Sequence, residues 1–122
     1  MASNGRVIVG CSRGEEDPDS VAVAYLTAGA ALDQGKDVVM WLTSDGVRLG
    51  LDGYAGRIRT DREPSGELLH AQFAEKGGRF YVCPVCFNDR QLDASELVDN
   101  AELQGASPLM EFVGDGATIF NY

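Results

Sequence analysis

The sequence predicts an α/β fold, a three-layer α/β/α arrangement built around a mostly parallel five-stranded sheet. Short apolar runs alternate with helical patterns along the chain, glycines and prolines separate the two kinds of segment, and 44% of the 122 residues are hydrophobic. Such alternation is typical of parallel strands joined by helices that cover the sheet. The length predicts a single domain, residues 1–122, that can bury an apolar core without disulfide bonds.

The first half of the chain supplies two strands and a long helix. Residues 6–10 form an apolar run of strand type that ends in glycine. Asp17 followed by Pro18 predicts a helix start, because an acceptor side chain caps the helix and proline suits its first turn. Apolar residues then recur at helical spacing until Gly35, which is typical of a helix end. Residues 37–43 are almost continuously apolar, as expected for a strand covered on both faces.

The middle of the chain supplies a connection, a helix and a strand. Four glycines interrupt residues 46–56, so we expect residues 47–64 to form a surface connection, with at most a short turn at residues 47–51. The alternative is a flexible flap over the strand ends. Ser65 predicts the start of a second helix, and Gly77 with the next glycine predicts its end. Residues 79–82 are then a third strand.

Four further elements are expected towards the end of the chain. Asp93 resembles the start of a capping box, which predicts a short helix through Val98. Residues 101–103 are a candidate fourth strand. Ser107 before a proline predicts a helix with the serine as its cap, and residues 117–122 form a final strand.

The charge of the chain disfavours nucleic acid as a partner. Nineteen acidic residues against ten basic ones give a formal net charge of −9. Such a surface repels phosphate backbones, and acidic residues are interleaved with the local group of arginines at 48–62. We find no apolar run long enough to span a membrane and no signal-peptide pattern, so we expect a cytoplasmic protein.

The strongest chemical signal lies directly after the third strand, at Cys83-Pro84-Val85-Cys86. Proline suits the first position of a helix, so Cys83 is predicted to be the cap residue, with unpaired backbone amides near its sulfur. The positive end of a helix favours the thiolate, which is the nucleophilic form of cysteine. In a reducing compartment, a Cys-x-x-Cys pair is more often redox-active or metal-binding than structural. We therefore interpret Cys83 and Cys86 as candidate catalytic residues; the alternative is that both are small core residues.

Other candidate site residues follow the first two strands. Cys11 comes after the first strand and Asp45 after the second, as Cys83 comes after the third. Because parallel strands place their carboxyl ends at one edge of the sheet, these side chains are expected to share that edge. For Cys11, a passive loop or core thiol is favoured over a supporting role. His70, the one histidine, is interpreted as a surface or internally satisfied residue.

Several segments in their order along the chain resemble the DsrE/DsrF-like family of small sulfur-handling proteins. They are residues 7–9 with the helix start at 17–18, the turn 34–39, residues 44–47, residues 81–86 with Arg90, and residues 103–117. The resemblance spans nearly the whole chain.

This resemblance implies a sulfur carrier or a sulfurtransferase-like protein. Cys83 matches the family position that accepts sulfur as a persulfide and passes it to a partner thiol. Arg90 matches a family arginine and is a candidate to support the Cys83 thiolate, although an ion pair with Asp89 or Asp93 is an equal alternative. Gln91 stands where the family often has glycine.

The resemblance also implies partners and leaves other functions open. The implied partners are sulfur-donor and sulfur-acceptor proteins or small polysulfides, together with copies of the same chain in a trimer or hexamer; no cofactor is implied. One alternative is a dithiol oxidoreductase that cycles through a Cys83–Cys86 disulfide. Another is a metal site, although no resident metal is expected, because Cys-x-x-Cys supplies two of the four ligands that structural zinc requires, and Cys11, His70 or Asp45 would have to complete it. The last alternative is a non-catalytic binding subunit of an oligomer. Whether the chain is an enzyme stays open.

Overall fold

The structure is a computed structural model that describes residues 4–122. Five strands alternate with four helices, as the sequence predicts. The strands are β1 (Arg6–Cys11), β2 (Asp37–Leu42), β3 (Arg79–Val82), β4 (Ala101–Leu103) and β5 (Thr118–Asn121). The helices are α1 (Pro18–Asp33), α2 (Gly66–Glu75), α3 (Pro84–Asp89) and α4 (Ala106–Val113).

The five strands form one sheet in the order β4-β3-β2-β1-β5, and each strand runs parallel to its neighbours. The predicted α/β fold with a parallel sheet is confirmed. The register pairs Cys11 with Leu42 and Leu42 with Val82, so β1, β2 and β3 end side by side. We call this side of the sheet the carboxyl edge. Loops that follow the strands therefore meet there.

Helices cover both faces of the sheet, but unequally. The larger core cluster joins one face to α1, α2 and residues 47–58, whereas the smaller cluster joins the other face to α4. In β1, β2 and β3, alternate residues divide between the two clusters, as the two-residue period of a strand requires. The fully buried aromatic side chains lie in the larger cluster and are Tyr25, Phe73, Phe80 and Phe87.

Two of the predicted helix caps are confirmed. Asp17 accepts hydrogen bonds from the backbone N–H of Ser20 at 3.2 Å and from its hydroxyl at 2.8 Å, and these bonds lower the pKa of Asp17. At the start of α2, the Ser65 hydroxyl accepts from the backbone N–H of Leu68 at 3.2 Å. Both side chains satisfy backbone donors that a helix start leaves unpaired.

The predicted cap of α4 is wrong. The helix begins at Ala106 with Gly105 as its cap residue, so Ser107 lies inside the first turn. Proline is tolerated throughout the first turn, because the backbone donors there have no partner within the helix. Pro108 therefore indicates a nearby helix start without fixing the residue at which it occurs.

The expected helix through Val98 is a 3₁₀ turn of three residues, Ala94–Glu96. Asp93 caps it, as predicted, by accepting from the backbone N–H of Ser95 at 2.9 Å. The chain then turns away because Val98 donates its N–H to the carbonyl of Gly50 at 2.8 Å. A pairing with a distant segment thus replaces the last turn of the expected helix.

Residues 47–64 are not a mere surface connection, and that expectation is wrong. The segment contains two 3₁₀ helices, one that starts before it (Ser44–Gly50) and Tyr54–Arg57. Its apolar side chains pack onto the sheet; the buried ones are Val47, Leu49, Tyr54, Ala55 and Ile58. Gly46 begins this packing, since a Cβ there would collide with the backbone carbonyl of Cys11. The segment thus closes the core beside α2.

Across residues 4–122, no helix combines the length and the apolar character that crossing a bilayer requires.

Candidate functional site

The candidate site lies where the loops after β1, β2 and β3 meet at the carboxyl edge. The backbone N–H of Thr43 donates to the carbonyl of Cys11 at 3.2 Å, and that of Cys83 donates to the carbonyl of Leu42 at 3.0 Å. The sheet register therefore continues to the first residue beyond two of the strands. This continuity fixes the backbone of Cys83 against the rigid centre of the sheet.

Cys83 is the cap residue of α3, with Pro84 as the first helical residue. Its carbonyl accepts the N–H of Phe87 at 3.0 Å, which is the first turn of the helix. Phe87 is buried in the larger core and anchors that turn. The Cys83 side chain makes no capping hydrogen bond, is a free thiol and is half-buried against the core. Cys83 is thus held by the backbone at the edge of the core, neither fully buried nor fully exposed.

Cys86 lies three residues further on, within α3. It is also a free, half-buried thiol that packs against the larger core. A cap residue and the third helical residue are separated by one turn, so both thiols lie near the same end of a short helix. This arrangement suits chemistry that uses the two sulfur atoms in sequence.

Arg90 fastens α3 to the loop after β2. Its Nε donates to Oδ1 of Asp45 at 3.0 Å, and its Nη1 donates to the carbonyl of Cys86 at 3.1 Å. The arginine thus pairs with neither Asp89 nor Asp93, the ion-pair partners considered from sequence. Of the residues expected at this site, the structure joins Asp45, Cys86 and Arg90 in one hydrogen-bonded group.

Cys11 lies at the carboxyl edge but inside the core. Only 1% of the residue is exposed, and its Sγ donates to the carbonyl of Arg13 at 3.5 Å. Burial raises the pKa of the Cys11 thiol, since an apolar environment disfavours the thiolate. It therefore acts as a small core residue, in line with the interpretation favoured from sequence.

His70 makes contacts that sequence reasoning did not find. Its Nδ1 lies 2.7 Å from the hydroxyl of Tyr25, and its ring stacks on Phe80 with the ring centroids 5.5 Å apart. Burial lowers the pKa of His70, and the nearby Asp52 raises it by a smaller amount. The sequence shows that His70 on α2 and Tyr25 on α1 both lie next to the apolar face of their helix. It does not show how the two helices are aligned, so the contact between these side chains could not be predicted.

A hollow of the described surface lies away from the thiols. It has a volume of about 860 Å³ and lies between residues 48–57 and residues 95–99. Acidic side chains predominate among its charged residues, which are Glu15, Arg48, Asp52, Arg57, Glu96 and Asp99. Neither Cys83 nor Cys86 lines it, so it is not part of the candidate site.

The side chains needed to complete a metal site with the two thiols are engaged elsewhere. Sγ of Cys11 contacts the carbonyl of Arg13, and Nδ1 of His70 contacts Tyr25. In the part of the chain that the structure describes, no three His, Cys, Asp or Glu side chains are grouped so as to hold a metal ion.

Comparison with known proteins gives the family. The model of the DsrE/DsrF-like family matches residues 6–122, which is nearly the whole chain. The chain belongs to the DsrE/DsrF-like family. The resemblance on which the sequence interpretation depends is thereby confirmed, and the family is associated with sulfur relay. No curated protein matches the chain significantly.

Solved structures with the DsrE-like fold resemble the whole chain. The YchN protein from E. coli is 18% identical, with a TM-score of 0.76, and 100% of each chain is covered. A protein of unknown function from Methanobacterium thermoautotrophicum is 16% identical with a TM-score of 0.64, covering 96% of this chain and 98% of its own. Another of unknown function, from Bacteroides thetaiotaomicron, is 15% identical with a TM-score of 0.66, covering 100% and 98%. At these identities the likeness concerns the fold.

Proposed function

We propose that this DsrE/DsrF-like protein is a sulfur carrier that holds a persulfide on Cys83 and passes the outer sulfur to a thiol of a partner. The observation that carries the proposal is the position of Cys83. It is a free, half-buried thiol at the junction of β3 and α3, beside the loops of two further strands. Sulfur transfer requires a nucleophile that is accessible yet protected from bulk solvent, which fits partial burial.

The proposed transfer consists of two exchanges at sulfur. The Cys83 thiolate attacks the outer sulfur of a donor persulfide, the sulfur–sulfur bond of the donor breaks, and the donor leaves as a thiolate. An acceptor thiolate then attacks the outer sulfur of the Cys83 persulfide, and Cys83 leaves as a thiolate. Each step forms one sulfur–sulfur bond and breaks another, so no external oxidant or reductant is needed.

Cys86 gives the persulfide a second outcome. Its thiolate can attack the inner sulfur on Cys83, which forms a Cys83–Cys86 disulfide and releases hydrosulfide. The carrier is then inactive until an external thiol reduces the disulfide. The spacing of a cap residue and the third helical residue suits this reaction.

Incubation with a polysulfide donor followed by intact-protein mass spectrometry tests the proposal. We expect the protein to gain the mass of one sulfur atom, and Cys83→Ser to abolish the gain. In Cys86→Ser the adduct should persist for longer, because the resolving thiol is absent. Cys11→Ala is the matched control, since that thiol is buried, and it should still load. An adduct that persists in Cys83→Ser would contradict the proposal.

The alternative dithiol oxidoreductase is favoured by one observation, namely that Cys83 and Cys86 are both free and half-buried at one end of α3. Its reaction requires the disulfide in every cycle, whereas a carrier does not. Loss of all sulfur transfer in Cys86→Ser, together with a measurable dithiol reduction potential in the parent protein, would favour the oxidoreductase.

We also propose that the chain assembles with copies of itself through β5. This strand forms one edge of the sheet, and its residues are exposed along its whole length. Ile119 is 51% and Phe120 43% exposed, and Leu26 of α1 lines an apolar hollow together with Phe120. Exposed apolar edge strands favour association. Light scattering should show an oligomer that Phe120→Lys disrupts, while Leu68→Lys on α2 leaves the mass unchanged.

A further inference from the structure

We propose that the exposed face of α3 is a docking surface for a protein that presents its reactive cysteine within a basic surface. The α3 face consists of Val85, Asn88 and Asp89, all of which are exposed. The inference extends the proposed function, because it names the chemistry of the partner from which Cys83 receives sulfur or to which it gives it.

Val85 gives the α3 face an apolar contact point. It lies between the two candidate thiols in sequence, and 68% of it is exposed, the highest value among the large hydrophobic residues that the structure describes as exposed. A single exposed valine is ordinary at a protein surface. Its neighbours therefore decide what it contacts.

Those neighbours are predominantly acidic. The segments that follow β1, β2 and β3 at the carboxyl edge, residues 12–17, 44–46 and 84–90, contain five carboxylates and two guanidinium groups. Both guanidinium groups are engaged, Arg13 with Asp17 at 3.9 Å and Arg90 with Asp45 at 3.0 Å. Arg57, from outside these segments, pairs with Glu15 at 3.5 Å. Five carboxylates against three guanidinium groups still leave an excess of negative charge.

Asp89 is the acidic group of the α3 face itself. It is exposed, and within residues 4–122 it takes part in none of the ion pairs. It also lies one helical turn from Val85, so the two side chains share a face. Together they present an apolar contact and a carboxylate to the same partner.

The negative charge of the site and of the whole chain favours a basic protein over a small anion as the sulfur source. A net charge of −9 repels small anions such as thiosulfate or polysulfide and attracts positively charged surfaces. Charge complementarity mainly raises the rate of association and excludes wrong partners. The charge therefore attracts a basic protein surface around a reactive cysteine and repels an anionic small molecule. Because Arg90 fixes α3 to Asp45, the α3 face is preformed.

Disulfide exchange with charged peptides tests this preference without requiring persulfide chemistry. Two peptides of equal length carry one cysteine as a 2-pyridyl disulfide, flanked by a leucine and by either lysines or glutamates. The Cys83 thiolate attacks the peptide sulfur, the bond to the pyridyl sulfur breaks, and pyridinethiolate leaves while a mixed disulfide forms. Cys86→Ser protein is used so that the mixed disulfide persists, and the Cys83→Ser, Cys86→Ser double variant provides the background.

We expect the lysine peptide to react at least about tenfold faster than the glutamate peptide at low ionic strength. The ratio should fall towards one as salt screens the charges. Equal rates at low salt, or a faster glutamate peptide, would overturn the proposal.

Two charge-reversal variants distinguish an effect of the α3 face from an effect of the net charge. Asp89→Lys should lower the ratio at least about threefold, because it reverses the charge of the α3 face itself. The matched control is Glu75→Lys, an equal charge change at the exposed last residue of α2, which precedes β3 and lies at the opposite edge of the sheet. Equal effects of the two variants would show that only net charge matters and would reject the α3 face.

The apolar contact has its own control. Val85→Ser should slow the leucine-containing lysine peptide, whereas Leu68→Ser, which changes an exposed leucine on α2, should not. Equal slowing by both variants counts against the α3 face. Failure of the proposed function is distinguishable from failure of the docking proposal. The first appears as failure of Cys83 to gain sulfur from a donor, whichever of the two peptides reacts faster.

Discussion

His70 is a single side chain that links α2 to α1 and to the sheet. Its Nδ1 lies 2.7 Å from the Tyr25 hydroxyl. Burial raises the pKa of Tyr25 well above its usual value, so the phenol stays protonated. In the neutral imidazole with its proton on Nε2, Nδ1 accepts a hydrogen bond from that phenol. A protonated imidazole carries N–H groups on both nitrogens and no longer accepts this hydrogen bond. Proton uptake by His70 therefore opposes the packed arrangement.

We predict that stability falls as the pH drops below about 6.5, the usual histidine pKa. Because burial lowers the pKa of His70 in the folded protein, the unfolded chain binds the proton first as the pH falls. The free energy of unfolding then decreases by at most about 1.4 kcal/mol per pH unit. Urea unfolding between about pH 7 and pH 5 measures the slope, and His70→Gln should flatten it.

Two other groups titrate at lower pH and do not obscure this slope. Hydrogen bonds to Ser20 and Ser95 lower the pKa values of Asp17 and Asp93 from 3.8, so their contributions are lost only in stronger acid. An unchanged slope in His70→Gln between about pH 6.5 and pH 5 would contradict the assignment to His70.

Gln91 provides a second test at the scale of one residue. It follows α3 with a φ of +54°, and its N–H donates to the carbonyl of Asn88 at 2.9 Å. The left-handed conformation is strained for residues that carry a Cβ, and glycine is the usual residue there. We predict that Gln91→Gly raises the free energy of unfolding by about 0.5–1 kcal/mol.

The matched control is Gln34→Gly. Gln34 also ends a helix, but its φ of −83° suits any residue. Glycine there adds only entropy to the unfolded chain and should destabilise the protein by about 0.5–1 kcal/mol. Opposite signs for the two substitutions, measured by chemical denaturation, are the expected result; equal signs would contradict the role of φ.

At the scale of elements, α3 is too short to be stable without its contacts. It has six residues, and Phe87 and Arg90 attach it to the core and to Asp45. We predict a coupling energy of about 0.5–1 kcal/mol between Asp45 and Arg90 in a double-mutant cycle with Asp45→Asn and Arg90→Gln. Amide hydrogen exchange of α3 should accelerate in both single variants.

The ion pair between Asp19 and Arg62 is the control for that cycle. Its atoms approach to 2.7 Å, but both side chains are largely exposed, at 74% and 68%. Solvent screens such a pair, so its coupling energy should be smaller than that of Asp45 with the 27% exposed Arg90. A larger value for the exposed pair would show that Arg90 does not fasten α3.

The elements that sequence predicted correctly depend on neighbouring residues. Asp17 and Ser65 cap helices through bonds to residues three positions ahead, and Cys83 precedes a helix because Pro84 follows it. Such signals are complete within one turn of chain. The strand-to-helix junction at the candidate site could therefore be predicted from the local sequence.

Apart from the local cap of α4, the errors concern contacts between distant segments. Arg90 bonds Asp45, which lies 45 residues away, rather than either acidic neighbour. His70 contacts Tyr25, which also lies 45 residues away along the chain. Val98 was predicted to end a helix but instead donates a hydrogen bond to Gly50. These partners depend on how helices and loops pack over the sheet, which local patterns do not specify.

At the scale of the whole molecule, net charge affects stability as well as partner choice. The charge of −9 is spread over a small surface, and repulsion among carboxylates favours the expanded, unfolded chain. Sodium chloride screens this repulsion, with a screening length that shortens to about 10 Å at 0.1 M. We therefore predict that the melting temperature rises with added sodium chloride at neutral pH.

A charge-reduced variant identifies the cause of that rise. Glu75→Lys with Glu111→Lys exchanges two exposed carboxylates, and each exchange alters the charge by two, so the net charge changes from −9 to −5. Neither residue lies in the candidate site. The variant should melt at a higher temperature in low salt and gain less from added sodium chloride, because less repulsion remains to be screened. Calorimetry across a salt series measures both effects, with Glu75→Gln and Glu111→Gln as an intermediate step. If added salt raises the melting temperature equally in the parent protein and in both double variants, salt acts on something other than the negative charge.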